Sequence, residues 1–120
     1  MNGTIEKYGK KPRDLVNTVL TKQAVQFLMT APDRFYLQLN TFAPHDPSPV
    51  DAKYRGMPAP VIPRTPSFNA AGTNEPAWLT KRPGLGPLRI AKYDTRWMQR
   101  VRSAESVADS IDAVTAALKA

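Results

Sequence analysis

The sequence predicts an α/β fold that is incomplete within its 120 residues. Apolar residues recur at helical spacing near the start of the chain, an alternating strand-like segment follows, and a second helical pattern fills the last quarter. One strand and two helices cannot build the two packed layers of an ordinary domain, because a buried strand needs neighbours in a sheet. We therefore interpret the chain as a piece of a larger α/β protein.

The first predicted element is an amphipathic helix over about residues 15–30. Leu20, Ala24 and Phe27 recur at spacings of four and three, which is typical of one helix face. Asp14 is the predicted N-cap, and the Ala31-Pro32-Asp33 sequence is a stop signal.

A strand is predicted next, from Phe35 to Phe42. Phe35, Leu37 and Leu39 alternate with polar or amphipathic residues, and aromatic and aliphatic side chains dominate the segment. We expect this strand to be half or fully buried.

Residues 43–88 contain ten of the twelve prolines. Each proline removes a backbone donor and biases the residue before it toward extended conformations, so long regular elements are excluded. The segment nevertheless carries large apolar side chains, among them Phe68 and Trp78, that a solvated linker does not need. We predict an ordered loop laid over a larger body.

The last element is one long helix that starts near Ile90 or Asp94 and runs to Ala120. Its predicted packing face comprises Trp97, Val101, Ala104, Ala108, Ile111 and Leu118, with Val107 and Val114 beside them. Basic residues precede acidic ones along this helix, opposite to what the helix dipole favours, so tertiary contacts are expected to dictate those charges.

Composition excludes several classes of site. The chain has 17 Lys and Arg, 10 Asp and Glu, one His and no Cys, for a net charge of +7. Disulfides, thiolate zinc sites and a cysteine nucleophile are excluded, as are most histidine-based metal sites. No apolar run approaches the length of a membrane span, and the N-terminus lacks the apolar core of a signal peptide, so we expect no membrane partner. The compartment is not predicted.

Several segments, in order along the chain, resemble the central part of the sulfatase family, and most closely the branch around N-acetylglucosamine-6-sulfatase. The strand followed by Ala43-Pro44-His45-Asp46-Pro47 is similar to the branch's strand and its Ala-Pro-His-x-Pro signature. The other matching segments are Asn2-Gly3, Tyr8-Gly9, Val19-Leu20, Ala24, Phe27-Leu28, Ala59-Pro60, Pro63-Arg64, Phe68-Asn69, Gly72-Thr73-Asn74, Trp78-Leu79, Arg96, Arg100 and Ser106-Val107-Ala108-Asp109. Leu15 and Asn17 depart from the branch, which usually has an aromatic residue and a Thr-Asp pair there.

The resemblance implies that residues 1–120 are part of an alkaline-phosphatase-like catalytic domain of a sulfuric ester hydrolase. An intact relative of this arylsulfatase-like kind would hydrolyse sulfate esters, of a sulfated small molecule or in glycan degradation, and such relatives are often exported or lysosomal. Its nucleophile is a formylglycine made within a Cys-x-Pro-Ser-Arg type motif, and its Ca²⁺ is held by Asp-Asp and Asp-Asn pairs. None of these motifs occurs in the chain. We therefore expect no catalytic residue and no metal ligand here, with the rest of the domain missing and no turnover by the isolated chain.

His45 is the candidate substrate-binding residue. It follows the C-terminal end of the predicted strand, where α/β sheets place ligands, between two prolines that restrict the backbone. In the family, the matching histidine donates a hydrogen bond to the sulfate group, whose bridging oxygen gains charge as the S–O bond breaks. The alternative is a solvated loop histidine. Asp46 either orients His45 or serves only as a turn residue before Pro47.

A second hypothesis is a basic, non-catalytic module that binds polyanions, either nucleic acid or a sulfated glycan. Arg96, Arg100 and Arg102 form the candidate cluster, with Tyr93 and Trp97 as possible stacking surfaces. The alternative is a solvated or salt-bridged helix face. The charges are spread over proline-rich loops, which argues against this second hypothesis, and we do not expect nucleic acid as a partner. The tripeptide Asn2-Gly3-Thr4 fits a glycosylation sequon.

Overall fold

A computed structural model describes residues 5–72 and 74–120, and the sequon at residues 2–4 lies outside them. The helices are α1, Val16–Leu28; α2, Ala77–Thr80; and α3, Pro87–Lys119. Single 3-10 turns lie at Pro12–Asp14 and Ala52–Tyr54. None of the helices within the described ranges is both long and apolar enough to cross a membrane.

The predicted α/β class is wrong, because the described residues are helical and contain no strand or sheet. The segment 35–42 is not paired with another strand. Its alternation is present in part: Leu37 and Leu39 are half-buried and the alternating polar residues are exposed, but Phe35 of the predicted covered face is exposed as well. The three polar side chains join one another, Tyr36 Oη to Gln38 Oε1 at 2.9 Å and Gln38 Nε2 to Asn40 Oδ1 at 3.1 Å. Alternation thus selects which face of this segment is covered, but a strand also requires a second backbone.

Helix α1 begins without the predicted cap. Asp14 belongs to the preceding 3-10 turn, where its carboxylate accepts the Lys11 backbone N–H at 3.1 Å, and Leu15 occupies the N-cap position of α1. Phe27 near the other end of the helix packs edge-on against Phe35, with 5.7 Å between ring centroids. This contact holds the start of segment 35–42 against α1.

Helix α3 begins earlier than predicted and packs through a different face. Pro87 occupies its first turn after Gly86, a position where proline's missing N–H costs nothing. The residues that α3 buries are Ser103 and Ser110, whereas Ile111 and Leu118, predicted to pack, are about 60% exposed. The predicted apolar face is therefore wrong at Ile111 and Leu118, whereas Val107 and Val114 beside it are half-buried.

The proline-rich segment runs along α3 in the opposite direction. Tyr54 contacts Asp109, the Met57 carbonyl accepts Arg102 Nε at 2.8 Å, and the Pro60 carbonyl accepts Trp97 Nε1 at 2.8 Å. Arg64 then meets Asp94 at 2.6 Å. Contacts that advance along the loop thus step back along the helix, so the loop lies on α3 rather than extending into solvent. They account for two of the charges that oppose the dipole of α3, because Arg102 and Asp109 both hold this loop.

The described molecule is expanded for its length. Its radius of gyration is 20.0 Å, against about 14 Å for a compact domain of this size. Its accessible surface is 9712 Å², against about 6,500 Å² for a compact monomer of this mass. Ala24 and Ala43 are the buried apolar residues among those described. The core that would normally offset the conformational entropy of folding is therefore nearly absent.

Candidate functional site

Helices α1 and α3 meet through small polar side chains, which we call the serine seam: Asn17, Thr21, Ser103, Ser106 and Ser110. Asn17 Nδ2 donates to Ser106 Oγ at 2.8 Å, and the hydroxyls of Thr21 and Ser110 lie 2.6 Å apart. Ser106 and Ser110 also donate their hydroxyl protons to backbone carbonyls of their own helix. Buried polar groups of the seam are therefore satisfied, and small side chains let the helices approach closely.

The serine seam also holds both ends of the loop that carries His45. The Asn17 Oδ1 atom accepts the backbone N–H groups of Phe42 at 3.1 Å and Ala43 at 3.4 Å. At the other end, Ser103 Oγ donates to the Pro49 carbonyl at 3.0 Å. Asn17 and Ser103 are both buried, so the loop is fixed by groups that cannot easily exchange with water.

Within the loop, two consecutive turns place His45 at an exposed corner. The His45 N–H donates to the Phe42 carbonyl at 3.0 Å, and the Ser48 N–H donates to the His45 carbonyl at 2.7 Å. Ser48 is buried with a φ of 50°, and its hydroxyl donates to the Pro44 carbonyl at 2.9 Å. This left-handed backbone is unusual for a serine, so the surrounding bonds must impose it.

The ring of His45 has a defined orientation. It lies 5.1 Å from the Phe42 ring centroid, and its Nδ1 is 2.7 Å from the Asp46 backbone carbonyl. A carbonyl oxygen only accepts, so this contact assigns the Nδ1 proton. Nε2 is then an acceptor in the neutral ring and a second donor only in the imidazolium. The contact from Asp46 comes through its backbone and not through the carboxylate that could have oriented the ring.

Beside the loop, Lys53, Tyr54 and Asp109 form a charged cluster. Tyr54 Oη donates to Asp109 Oδ1 at 2.7 Å, and Lys53 Nζ lies 2.8 Å from Asp109 Oδ2. Burial alone raises the pKa of the Asp109 carboxyl, but the hydrogen bonds from Lys53 and Tyr54 outweigh it and lower that pKa below 3.8. The hydrogen bond to Asp109 raises the pKa of Lys53 and of Tyr54.

The predicted arginine cluster is split by the structure. Arg102 faces the proline-rich segment and bonds to Met57, and Trp97 is held by Pro60. Arg96 and Arg100 are exposed on another side of α3. The three arginines therefore do not form one patch.

The described residues do not assemble a donor set for the calcium that the resemblance implies. Among residues 5–72 and 74–120, no group of three His, Asp or Glu side chains is placed to hold a metal ion. The sequence has no cysteine that could be converted to formylglycine. The described residues therefore fit neither a bound Ca²⁺ nor a formylglycine made from cysteine.

The main residues that sequence reasoning missed are those of the serine seam. In the sequence, Asn17 is notable only because it differs from the residues usual at that position in the sulfatase branch. A detectable signal was present, since Ser103, Ser106 and Ser110 follow each other at spacings of three and four, as do Asn17 and Thr21 at four. Small polar residues at helical spacing indicate a close polar helix contact as well as a solvated face.

Comparison with known proteins gives one informative similarity. The chain is 28% identical over 120 aligned positions to sulfatase ppz1 of Metarhizium majus (strain ARSEF 297). The alignment covers 90% of this chain. The chain is thus similar to a sulfatase. This supports a relationship at the level of the sulfatase family and of hydrolases, without pointing to a branch or a substrate.

The chain spans 28% of the length of that relative. No family model matches the sequence, and no solved structure matches it.

Proposed function

We propose that this chain is a segment of a sulfatase whose whole form hydrolyses sulfate esters of sugars or glycans, and that His45 contacts the sulfate group. The observation that carries the proposal is the similarity to a sulfatase over 90% of the chain. The geometry of the loop supports it, because His45 is exposed on a backbone held by Asn17 and Ser103.

The orientation of His45 defines how it would act. With Nδ1 donating to the Asp46 carbonyl, Nε2 is the atom left to meet substrate. Nε2 donates to a sulfate oxygen only when the ring is an imidazolium, and that charged donor is stronger than a neutral one. His45 would then stabilise negative charge that develops as the S–O bond breaks.

The chain alone is proposed to be inactive, because it supplies a sulfate contact without a nucleophile. Attack on sulfur and neutralisation of the sulfate oxygens belong to groups that the described residues do not contain. Calcium added to the purified chain should therefore yield no hydrolysis of a sulfate ester, which a fluorogenic sugar sulfate assay would detect. Measurable turnover would contradict this part of the proposal.

The decisive test for His45 is a chimera in which residues 5–120 replace the aligned segment of the Metarhizium sulfatase. We expect hydrolysis of a sulfated sugar, and His45→Ala should lower kcat/KM by about 100- to 1,000-fold, the usual effect of losing one donor to a developing anion. Asp46→Asn is the matched control and should change it less than threefold, because only the Asp46 backbone touches His45. Equal activity of the His45→Ala chimera would refute the assigned contact.

A further inference from the structure

The N-terminal half of α3 carries a row of four cationic side chains: Arg89, Lys92, Arg96 and Arg100. They follow at spacings of three, four and four residues and therefore lie on one face of the helix. All four residues are exposed, and within the described ranges none forms a salt bridge. We call these four residues the basic row.

The basic row lies away from the side of α3 that residues 57–64 of the proline-rich segment cover. That side presents Asp94 to Arg64, Trp97 to Pro60 and Arg102 to Met57. Asp94 and Arg102 are each two residues from the nearest member of the row, and Trp97, three residues before Arg100, lies at its edge. One side of this half-helix is therefore held by the chain itself, and the side with the row is left open.

The row is unfavourable for the helix alone. Lys92, Arg96 and Arg100 are successive like charges four residues apart, a separation at which they repel. Arg89 lies in the first turn of α3, where the helix dipole disfavours a positive charge. An anion bound along the row would relieve both penalties.

The row is continuous with the anchor of the His45 loop. Ser103 lies three residues beyond Arg100 on the same face of α3, and its hydroxyl holds the Pro49 carbonyl. At the α-helical rise, the row itself extends from Arg100 back to Arg89 over about 16 Å along the helix axis, with neighbouring charges about 4.5–6 Å apart along that axis. A linear polyanion bound to the row would reach toward the loop that carries His45.

We propose that the basic row is a secondary binding site for a linear sulfated polysaccharide. This inference rests on the proposed function, since it assigns the polymer whose sulfate His45 would contact. Four cationic side chains make up the row, whereas the core of a protein–protein interface is depleted of charge, so the row does not resemble such an interface. Tyr93 borders the row but Trp97 is held by Pro60, so the row lacks the series of aromatic platforms on which nucleic-acid bases stack.

The test measures binding of a heparin octasaccharide to the full chain. Counterion release predicts that four contacts weaken the affinity by about 50-fold between 50 and 200 mM salt. Arg96→Glu with Arg100→Glu should raise Kd at least tenfold at 100 mM salt. The control is Lys7→Glu with Lys10→Glu, which makes the same change in net charge on exposed residues outside α3 and should change Kd less than twofold. Circular dichroism checks the helix content of both variants. If the helix content of the Arg96→Glu, Arg100→Glu variant falls, Arg96→Gln with Arg100→Gln is the milder alternative.

Three outcomes would overturn the inference: no binding of the octasaccharide, equal losses in the two charge-reversal variants, or tighter binding of a single-stranded oligonucleotide. A fully desulfated octasaccharide should not bind. His45→Ala should retain row binding in the isolated chain, so the two proposals fail separately. An inactive chimera with intact octasaccharide binding would contradict the sulfatase function, whereas an active chimera without binding would contradict the basic row.

Discussion

Asn17 is the residue on which the geometry of the candidate site depends most. Its one amide group bonds to Ser106 on α3 and to the backbone N–H groups of Phe42 and Ala43. It is 5% exposed, so water cannot readily replace these bonds. Removing the side chain would leave buried donors unpaired, which costs more than the net value of a hydrogen bond.

Asn17→Ala should therefore loosen the start of the His45 loop by about 1–3 kcal/mol. Hydrogen exchange of the Phe42 and Ala43 amides reports this directly, and we expect exchange about 5- to 150-fold faster. Asn40→Ala is the control, because Asn40 is exposed and bonds only to Gln38. Unchanged protection of both amides in Asn17→Ala would show that another group holds the loop.

At the scale of elements, Asp109 links the proline-rich segment to α3 through Tyr54 and Lys53. The pKa of Asp109 is lowered in the folded state, so its ionised form stabilises this contact above about pH 4. That stabilisation is lost as the pH falls through the folded pKa of Asp109. Lys53 has a raised pKa, so its contribution is complete below about pH 10.5 and is lost only as the pH rises through its folded pKa.

Asp109→Asn should lower the pKa of Tyr54 toward its ordinary value of 10.0, because the hydrogen bond to the carboxylate is the main cause of the raised value. A ¹³C NMR titration of the Tyr54 ring measures the shift. Asp112→Asn, an exposed change on the same helix, should leave the titration of Tyr54 unchanged. If Asp109→Asn left it unchanged as well, the contact between Tyr54 and Asp109 would not form in solution.

The sequence predicted these elements to different extents. Periodicity located α1 and α3, because Leu20, Ala24 and Phe27 are spaced as a helix requires regardless of what surrounds them. The strand at 35–42 was wrong, because its β propensity depends on a partner backbone that the described residues do not supply. The face of α3 was also wrong, since serine hydroxyls can be buried when they bond to their own helix, as Ser106 and Ser110 do. The motif makes His45 a candidate and its role stays a prediction, whereas its anchor at Asn17 depends on long-range contacts that no local pattern encodes.

At the scale of the whole molecule, the chain has helices and an ordered loop but almost no core. Large apolar side chains such as Ile5, Val61 and Leu88 are at least 80% exposed. A chain of this length usually buries about two-thirds of its unfolded surface, whereas this one buries about half. Such exposure fits a segment whose apolar faces are completed by further protein.

Small-angle X-ray scattering should therefore give a radius of gyration near 20 Å for the isolated chain, as in the structure. A compact 120-residue domain would give about 14 Å. Binding of a fluorescent hydrophobic dye should accompany the larger value, because the apolar side chains are open to solvent. A compact particle without dye binding would show that the chain completes its own core.

The proposed function makes this chain one segment of a sulfatase. The sharpest test is to sequence the DNA on both sides of its reading frame and translate it in all frames. We expect a Cys-x-Pro-Ser-Arg type motif upstream and an Asp-Asn pair downstream, in segments that continue the similarity to the Metarhizium sulfatase. Finding neither would contradict it and would leave a basic chain whose function is to be sought in the basic row alone.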